Sequence, residues 1–373
     1  VYPGARLARS GELPEQVQAM PREMKKILII RLSSLGDVIL TTPVISALKA
    51  RFPRSELFFL TKARYAEMLR NDPRISSLVE FDPAKRHRGA FGFMRLISEL
   101  RSYDFDLLID LHANLRSFVL RRLVGSRVKL KYHKRWPRRW LMVHLKFLES
   151  KPLRTLDSYL EPLQRLGLEV SERKPLILVS RDDLEFSNHF LLERQVEKDD
   201  IVVGVHPGAK WETKRWNAGK FARVCCSLAE KPGHKIMLLG DAEEAKFVEQ
   251  VEKSIPADRM VRAVGLPLGK IMSLIKRCDC LVTNDSGPMH IASALGVPVV
   301  AIFGPTHPML GFAPVGSPNL VLCADVRCCP CSLHGEKKCS KKSRFCMDLI
   351  EPEMVKEAVE SLLQKNESIS KED

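Results

Sequence analysis

Asp37 lies in "RLSSLGDVILTTPVISALKARFP" (Arg31–Pro53), three residues after Ser34 and beside Gly36, where the apolar run "KILII" turns polar. Ser34 and Asp37 have the spacing of a capping box, and an acid in a helix's first turn is favoured by the dipole. The same position also allows chemistry. A carboxylate just past a strand's carboxyl end faces the crevice where open α/β sheets bind ligands. Kept ionised by a helix terminus, it can take a proton from a hydroxyl in a transition state.

Three other stretches carry chemical potential. In "VTNDSGPMHIASALG", a strand ends near Asn284 and a helix begins near Pro288, so Ser286 and Gly287 offer backbone N–H groups to an anion. The alternative is a structural turn capped by Asp285. "HPGAKWETKRW" sets Gly208, Lys210, Lys214 and Arg215 on a loop after a strand, where a cation can stabilise a departing phosphate. A solvated basic loop would look the same. "LLGDAEEA" puts Glu243 and Glu244 where an acid can bind ribose hydroxyls or simply open a helix. Neither G-x-G-x-x-G after the first strand nor G-x-x-x-x-G-K-[ST] is present, which argues against a dinucleotide fingerprint and a P-loop.

These groups need elements to position them, and the sequence supplies alternating strands and helices. "KILII", "SELFFLT", "SSLVEFD" and "FDLLIDLH" read as strands separated by helical stretches. Repetition fades after "RTLDSYLEPLQRLGLE" and resumes with "DIVVGVHPG", "HKIMLLGD", "MVRAVG", "CLVTND" and "PVVAIFG". Wholly apolar strands suit a parallel sheet covered on both faces. The expected class is therefore α/β, with two Rossmann-like domains and a cleft between them. Expected boundaries are 24–180 for the first domain, 181–200 for a linker, 201–350 for the second and 351–365 for an amphipathic terminal helix. Residues 1–23 and 366–373 read as disordered ends.

The chain has 373 residues, enough for two domains, and its 45% hydrophobic content supports packed cores. No apolar run approaches the roughly 20 residues of a membrane span, and no secretory h-region is visible. The net charge of +15 predicts anionic partners. The stretch Arg121–Trp140 is dense in Lys and Arg and contains no Asp or Glu. All ten cysteines follow residue 224, and six fall in "CADVRCCPCSLHGEKKCSKKSRFC". Cys329, Cys331, Cys339 and Cys346 could hold Zn²⁺ as thiolates, although their spacing is irregular.

Taken together, "RLSSLGDVILTTPVISALK", "FDLLIDLHANLRS", "HPGAKWETKRW" and "TNDSGPMHIASALGVPVVAIFGPT" resemble glycosyltransferase family 9, the heptosyltransferases of lipopolysaccharide inner-core synthesis, with a lean towards the second type. The resemblance implies a GT-B fold whose last helix returns to the first domain. It implies inverting transfer from ADP-L-glycero-β-D-manno-heptose with no required cofactor or metal. Asp37 would be the catalytic base, and Lys214 would hold the diphosphate. Asp285, Ser286, Gly287, Gly208 and Ala209 would line the phosphates, and Glu243 would meet the ribose. Val264 and Gly265 would lie by the adenine, with Gly36 and His290 also on the donor side. Ser34, Asn114, Arg116, Arg135, Arg138 and Arg139 are expected to face the acceptor, a Kdo- or heptose-bearing lipid A.

A cytoplasmic enzyme attached peripherally to the anionic inner face of the cytoplasmic membrane is expected, with no nucleic-acid partner. "RTLDSYL" departs from the family by offering Arg154 and Thr155 where a His is common. Two alternatives stand beside this reading: another nucleotide-sugar enzyme, such as a 2-epimerase, and a non-enzymatic binder of anionic glycolipid.

Overall fold

The computed structural model describes residues 23–146, 152–168, 170, 172–341 and 343–369. The sequence-predicted extension, residues 1–23, lies outside them except for Glu23. The first lobe is a wholly parallel sheet of β1 (Lys26–Ile30), β2 (Glu56–Lys62), β3 (Ser77–Phe81), β4 (Phe105–Asp110) and β5 (Ser126–Lys131), ordered β3-β2-β1-β4-β5. The second is a parallel sheet of β6 (Ile201–His206), β7 (His234–Gly240), β8 (Met260–Val264), β9 (Cys280–Asn284), β10 (Val299–Phe303) and β11 (Asn319–Cys323). Its order is β11-β10-β9-β6-β7-β8. In each sheet the order reverses beside the first strand, between β1 and β4 and between β6 and β9. Ligands bind at such switch points, beyond the carboxyl ends of the strands.

Helices cover both sheets. After β1 come α1 (Leu35–Leu40) and α2 (Thr42–Arg51). Then α3 (Gly89–Arg101) and α4 (Leu115–Leu123) pack on the opposite face, where Leu96, Leu100 and Leu120 meet Leu28, Phe58 and Leu108. Next are α5 (Trp136–His144), α6 (Thr155–Gln164) and α7 (Arg181–Leu192). The second lobe adds α8 (Ala218–Ala229), α9 (Ala245–Glu252), α10 (Leu268–Lys276), α11 (Gly287–Ala294) and α12 (Pro352–Ile369).

Three boundaries differ from the sequence reading. Residues 181–192 of the expected linker form a helix, capped by Ser180 accepting from the Asp183 N–H at 3.0 Å, and α7 packs on α10. The stretch looks charged because only one stripe is buried, with Ser187, Phe190 and Leu191 on it. The terminal helix α12, expected to return to the first domain, packs among the described residues on the second lobe. Val355, Val359 and Leu362 join the second lobe's core with Phe221 and Val300, and α12 packs on α8 and on β9, β10 and β11. It also runs through residues 366–369 of the expected disordered tail, while 370–373 lie outside the described residues.

The lobes share a continuous apolar core that runs from Ile29 and Val38 to Met289 and Ala301. Main-chain bonds add to it: the Leu153 N–H donates to the Met309 carbonyl at 3.1 Å, and the Thr155 N–H to Gly311 at 3.0 Å.

Candidate active site

Directly after β1 comes Arg31, a buried cation that needs a counter-charge, since an unpaired buried charge is costly. Asp37 supplies it at 2.6 Å. The carboxylate's other partners come from near and far in sequence. Its Oδ2 accepts from the Ser34 N–H at 3.1 Å and the Ser34 hydroxyl at 2.7 Å. Its Oδ1 accepts from the Tyr159 hydroxyl on α6 at 2.6 Å. The acid therefore helps cap α1, through the Ser34 N–H, while its other oxygen reaches across to α6. Its side chain remains 16% exposed.

Burial alone would raise the Asp37 pKa. The charge of Arg31 and the hydrogen bonds from Tyr159 and Ser34 outweigh it and hold the carboxyl well below the usual range. Burial and the neighbouring carboxylate keep the Tyr159 phenol protonated to unusually high pH.

Across the cleft, the β6 and β9 ends present the second cluster. Lys214 lies 2.7 Å from Asp285, whose carboxylate also accepts from the Thr306 hydroxyl at 2.6 Å. The Asn284 side chain ties the two loops by donating to the Pro207 carbonyl at 2.7 Å and accepting from the Trp216 N–H at 3.0 Å. Ser286 precedes α11, whose first turn opens on Gly287 and Pro288. Gly287 abuts Leu35 of the first lobe, with room for a Cβ only 3.0 Å from its nearest atom.

A close interlobe approach joins α1 and α11. A Cβ on Gly36 would fall 2.3 Å from Cδ2 of His290. His290 is buried, and burial lowers its pKa against the raising influence of Asp285 and Asp37. Its imidazole thus feels the base cluster of one lobe and the cation cluster of the other.

Other sequence-predicted residues fall as follows. Gly208 is pressed against a carboxylate, but that carboxylate belongs to buried Glu244, while Glu243 stands exposed on the same turn. Glu244 lies 3.1 Å from His206 and accepts from the Asp241 N–H at 3.1 Å. Ala209 is buried, and its carbonyl accepts from Arg215 at 2.7 Å. Val264 ends β8 and Gly265 follows it at φ +74°, its N–H donating to the Gly240 carbonyl at 3.0 Å.

Asn114 spends its side-chain oxygen on capping α4, accepting from the Ser117 N–H at 2.9 Å, whereas Arg116 is exposed. Arg135 and Arg138 are exposed at the N-terminal end of α5. Arg139 bridges lobes instead, donating to the Leu310 carbonyl at 3.2 Å and to the Thr155 hydroxyl at 2.8 Å. Among the described residues no three cysteines, histidines or acids converge as metal ligands. Cys329 is buried and donates to the Gly304 carbonyl at 2.9 Å.

Sequence reasoning missed Arg31, Tyr159 and His334. Arg31 carried a legible signal, a cation closing an apolar strand. Tyr159 is 122 positions from its partner and carried none. His334, on the cysteine-rich segment, sits where Asp37, Lys214, Arg139 and Asp285 all act on it, and burial lowers its pKa. Gly335 beside it leaves space for the Lys214 stem, since a Cβ there would lie 2.7 Å from Cδ.

The chain is similar to known proteins in sequence and in fold. The chain is 26% identical over 283 residues to lipopolysaccharide heptosyltransferase 3 of Escherichia coli, covering 73% of this chain and 81% of that protein. The glycosyltransferase family 9 structure from Veillonella parvula superposes with a TM-score of 0.79 at 25% identity, covering 93% of this chain and 99% of that one. The E. coli ADP-heptose lps heptosyltransferase II gives a TM-score of 0.70 at 22% identity, over 92% and 99% of the two chains. These likenesses establish the two-lobed GT-B fold. The profile described as "Glycosyltransferase family 9 (heptosyltransferase)" matches residues 93–342, and the chain belongs to that family.

Proposed function

We propose that this chain is an inverting heptosyltransferase that moves L-glycero-D-manno-heptose from ADP-heptose to the inner core of lipopolysaccharide. The observation that carries the reading is a carboxylate on the first lobe, Asp37, facing a cation and a helix N-terminus on the second across a closed cleft. In the reaction, the acceptor oxygen bonds to the anomeric carbon as the bond from that carbon to the ADP oxygen breaks. The hydroxyl proton goes to Asp37, and the leaving diphosphate takes the electron pair.

Lys214 and the N–H groups opening α11 stabilise charge on the diphosphate. Lys214 exchanges Asp285 for phosphate, while Thr306 continues to hold that acid. Asp37 has an unused lone pair on Oδ1 beside the Tyr159 bond, and the acceptor hydroxyl donates there. A carboxylate of such low basicity serves best late, when the donor bond is largely broken and the attacking hydroxyl has become acidic. Glu243 binds the ribose from its exposed turn, and Val264 and Gly265 border the adenine.

Incubation with ADP-heptose and truncated core acceptors, read by product mass, tests the assignment. Isomerised donor with no heptosylated acceptor would overturn it.

The same reading places the enzyme on an anionic membrane surface. Among the described residues no helix is long and apolar enough to cross a membrane. Yet Phe91 on α3 is 95% exposed and Leu115 on α4 is 79% exposed. Both stand in the first turns of their helices, at the same sheet edge as Asp37, with Arg88 and Arg116 adjacent. Flotation with anionic vesicles should be lost in F91D/L115D; undiminished flotation would rule this surface out.

A further inference from the structure

Residues 328–336 of the cysteine-rich segment form a strap tied to both lobes. From the first lobe, Lys146 donates to the Cys328 carbonyl at 2.8 Å and to that of Pro330. Leu333 packs with Met142, Leu153 and Leu310. On the second lobe, the Cys331 and Ser332 N–H groups donate to the Pro305 carbonyl, at 2.9 and 3.2 Å. The Ser332 hydroxyl accepts from the Gly335 N–H at 2.9 Å. The Glu336 N–H donates at 2.8 Å to the hydroxyl of Thr213, the residue before Lys214. The main chain on both sides of His334 is therefore pinned, and a side chain on pinned backbone keeps its place at little entropic cost.

The His334 ring takes no part in this bonding. The residue is exposed, and among the described residues its ring has no hydrogen-bond partner. It is nonetheless crowded enough that burial lowers its pKa, with Asp37 opposing and Lys214 and Arg139 assisting. The imidazole is then neutral at pH 7, with one nitrogen as donor and the other as acceptor. It lies within reach of Asp37 from one lobe and of Lys214 and Asp285 from the other. In heptosyl transfer the attacking oxygen is at Asp37 and the departing diphosphate at Lys214, so the sugar that passes between them occupies the space that the ring borders. A neutral imidazole there has no charge to offer either end, but it has the right groups for a sugar hydroxyl.

We propose that His334 is a specificity-determining contact to the transferred sugar, hydrogen-bonding one of its hydroxyls. The proposal rests on the heptosyl-transfer reading above. A sugar that lacks the matching hydroxyl is disfavoured because the ring is left unpaired in the closed cleft.

The test compares wild type, H334A and H334Q on ADP-heptose and on a panel of ADP-heptoses that each lack one sugar hydroxyl, with one defined acceptor. On the full donor, H334A should lose about threefold to tenfold in kcat/KM, and H334Q, which keeps a neutral donor and acceptor, should recover part of the loss. Calorimetric ADP affinity and melting temperature should match wild type. On one deoxy donor, H334A and wild type should share the same kcat/KM, and that donor identifies the hydroxyl. An unchanged kcat/KM on the full donor, or the same fold loss on every donor, would overturn the contact. A second measurement needs no transfer. The imidazole resonances that disappear in H334Q should shift when wild type binds ADP-heptose without acceptor, and should shift less with ADP alone. Equal behaviour with the two ligands would overturn the contact. Absence of transfer to every acceptor by wild type would instead overturn the functional reading, leaving the ring resonances to decide the contact.

Discussion

Gly36 and His290 meet face to face across the cleft, with no room for even a methyl group between them. One belongs to the turn that carries Asp37, the other to the helix opened by Gly287. The contact fixes how far Asp37 and that helix stand apart.

Replacing Gly36 with Ala should therefore force the helices apart. Since His290 is buried, the strain cannot be shed into solvent. G36A should lower folding stability by about 1–3 kcal/mol, the usual cost of overpacking, and reduce kcat/KM with it. Measured against H290A alone, adding G36A should cost little, because the ring it strikes is gone. Equal losses in both backgrounds would mean the contact is unimportant.

Asp37→Asn should cut turnover by about 10²–10⁴-fold, the usual worth of a positioned base, while calorimetric ADP affinity stays near wild type. Tyr159→Phe removes one of the groups that lower the Asp37 pKa. That pKa should rise, so the acid limb of the kcat profile should move to higher pH in Y159F. A limb that stays put would uncouple Tyr159 from the base.

Lys214→Met should lose about 10²–10³-fold in kcat, if the ammonium stabilises the leaving diphosphate as an oxyanion-hole donor does. Steady-state kinetics with a donor bearing a better leaving group should recover part of the loss. No recovery would assign Lys214 to binding alone.

The two neighbouring glutamates should separate. Glu243→Gln should raise the donor KM by several-fold with an unchanged melting temperature. Glu244→Gln should lower the melting temperature, because the buried carboxylate serves His206 and the Asp241 N–H. Calorimetric scans beside donor titrations would reveal a reversed pattern.

Stability should fall on mild acidification. Burial, then Arg31, pushes the His112 pKa down to about 3, and burial lowers that of His290. The unfolded chain takes up these protons near pH 6.5 and the folded chain does so only at lower pH. Stability is thus full above pH 6.5 and declines below it, by up to about 1.4 kcal/mol per pH unit for each histidine. Asp37, with its lowered pKa, is charged in both states there and loses its contribution only below about pH 4. Melting temperatures from pH 8 to 5 should drop in wild type and drop less in H112Q.

Much of the fold was legible because parallel strands buried on both faces are short apolar runs, as in "KILII" and "FDLLIDLH". The strand β5 was hidden inside the basic stretch Arg121–Trp140. Its exposure alternates residue by residue, with Lys129 and Lys131 on the outside of an edge strand, so charge density masked a period of two. β11 was missed as well, a half-buried edge strand of only five residues. The helix α12 gave its existence by periodicity but not its docking, which depends on which lobe offers a matching apolar face. At the candidate site, local motifs pointed to Asp37, Lys214 and the turn at Asp285. Tyr159, which bonds Asp37, and His334 come from distant elements that only tertiary packing brings in.

The apolar core that runs unbroken from Ile29 to Ala301 has a consequence for how the molecule can be divided. A cut after α7 would leave two fragments, each with a raw greasy face and neither holding both Asp37 and Lys214. Such fragments should be insoluble apart and should regain shape and turnover only when co-expressed, so the enzyme assembles as one cooperative body despite its two sheets.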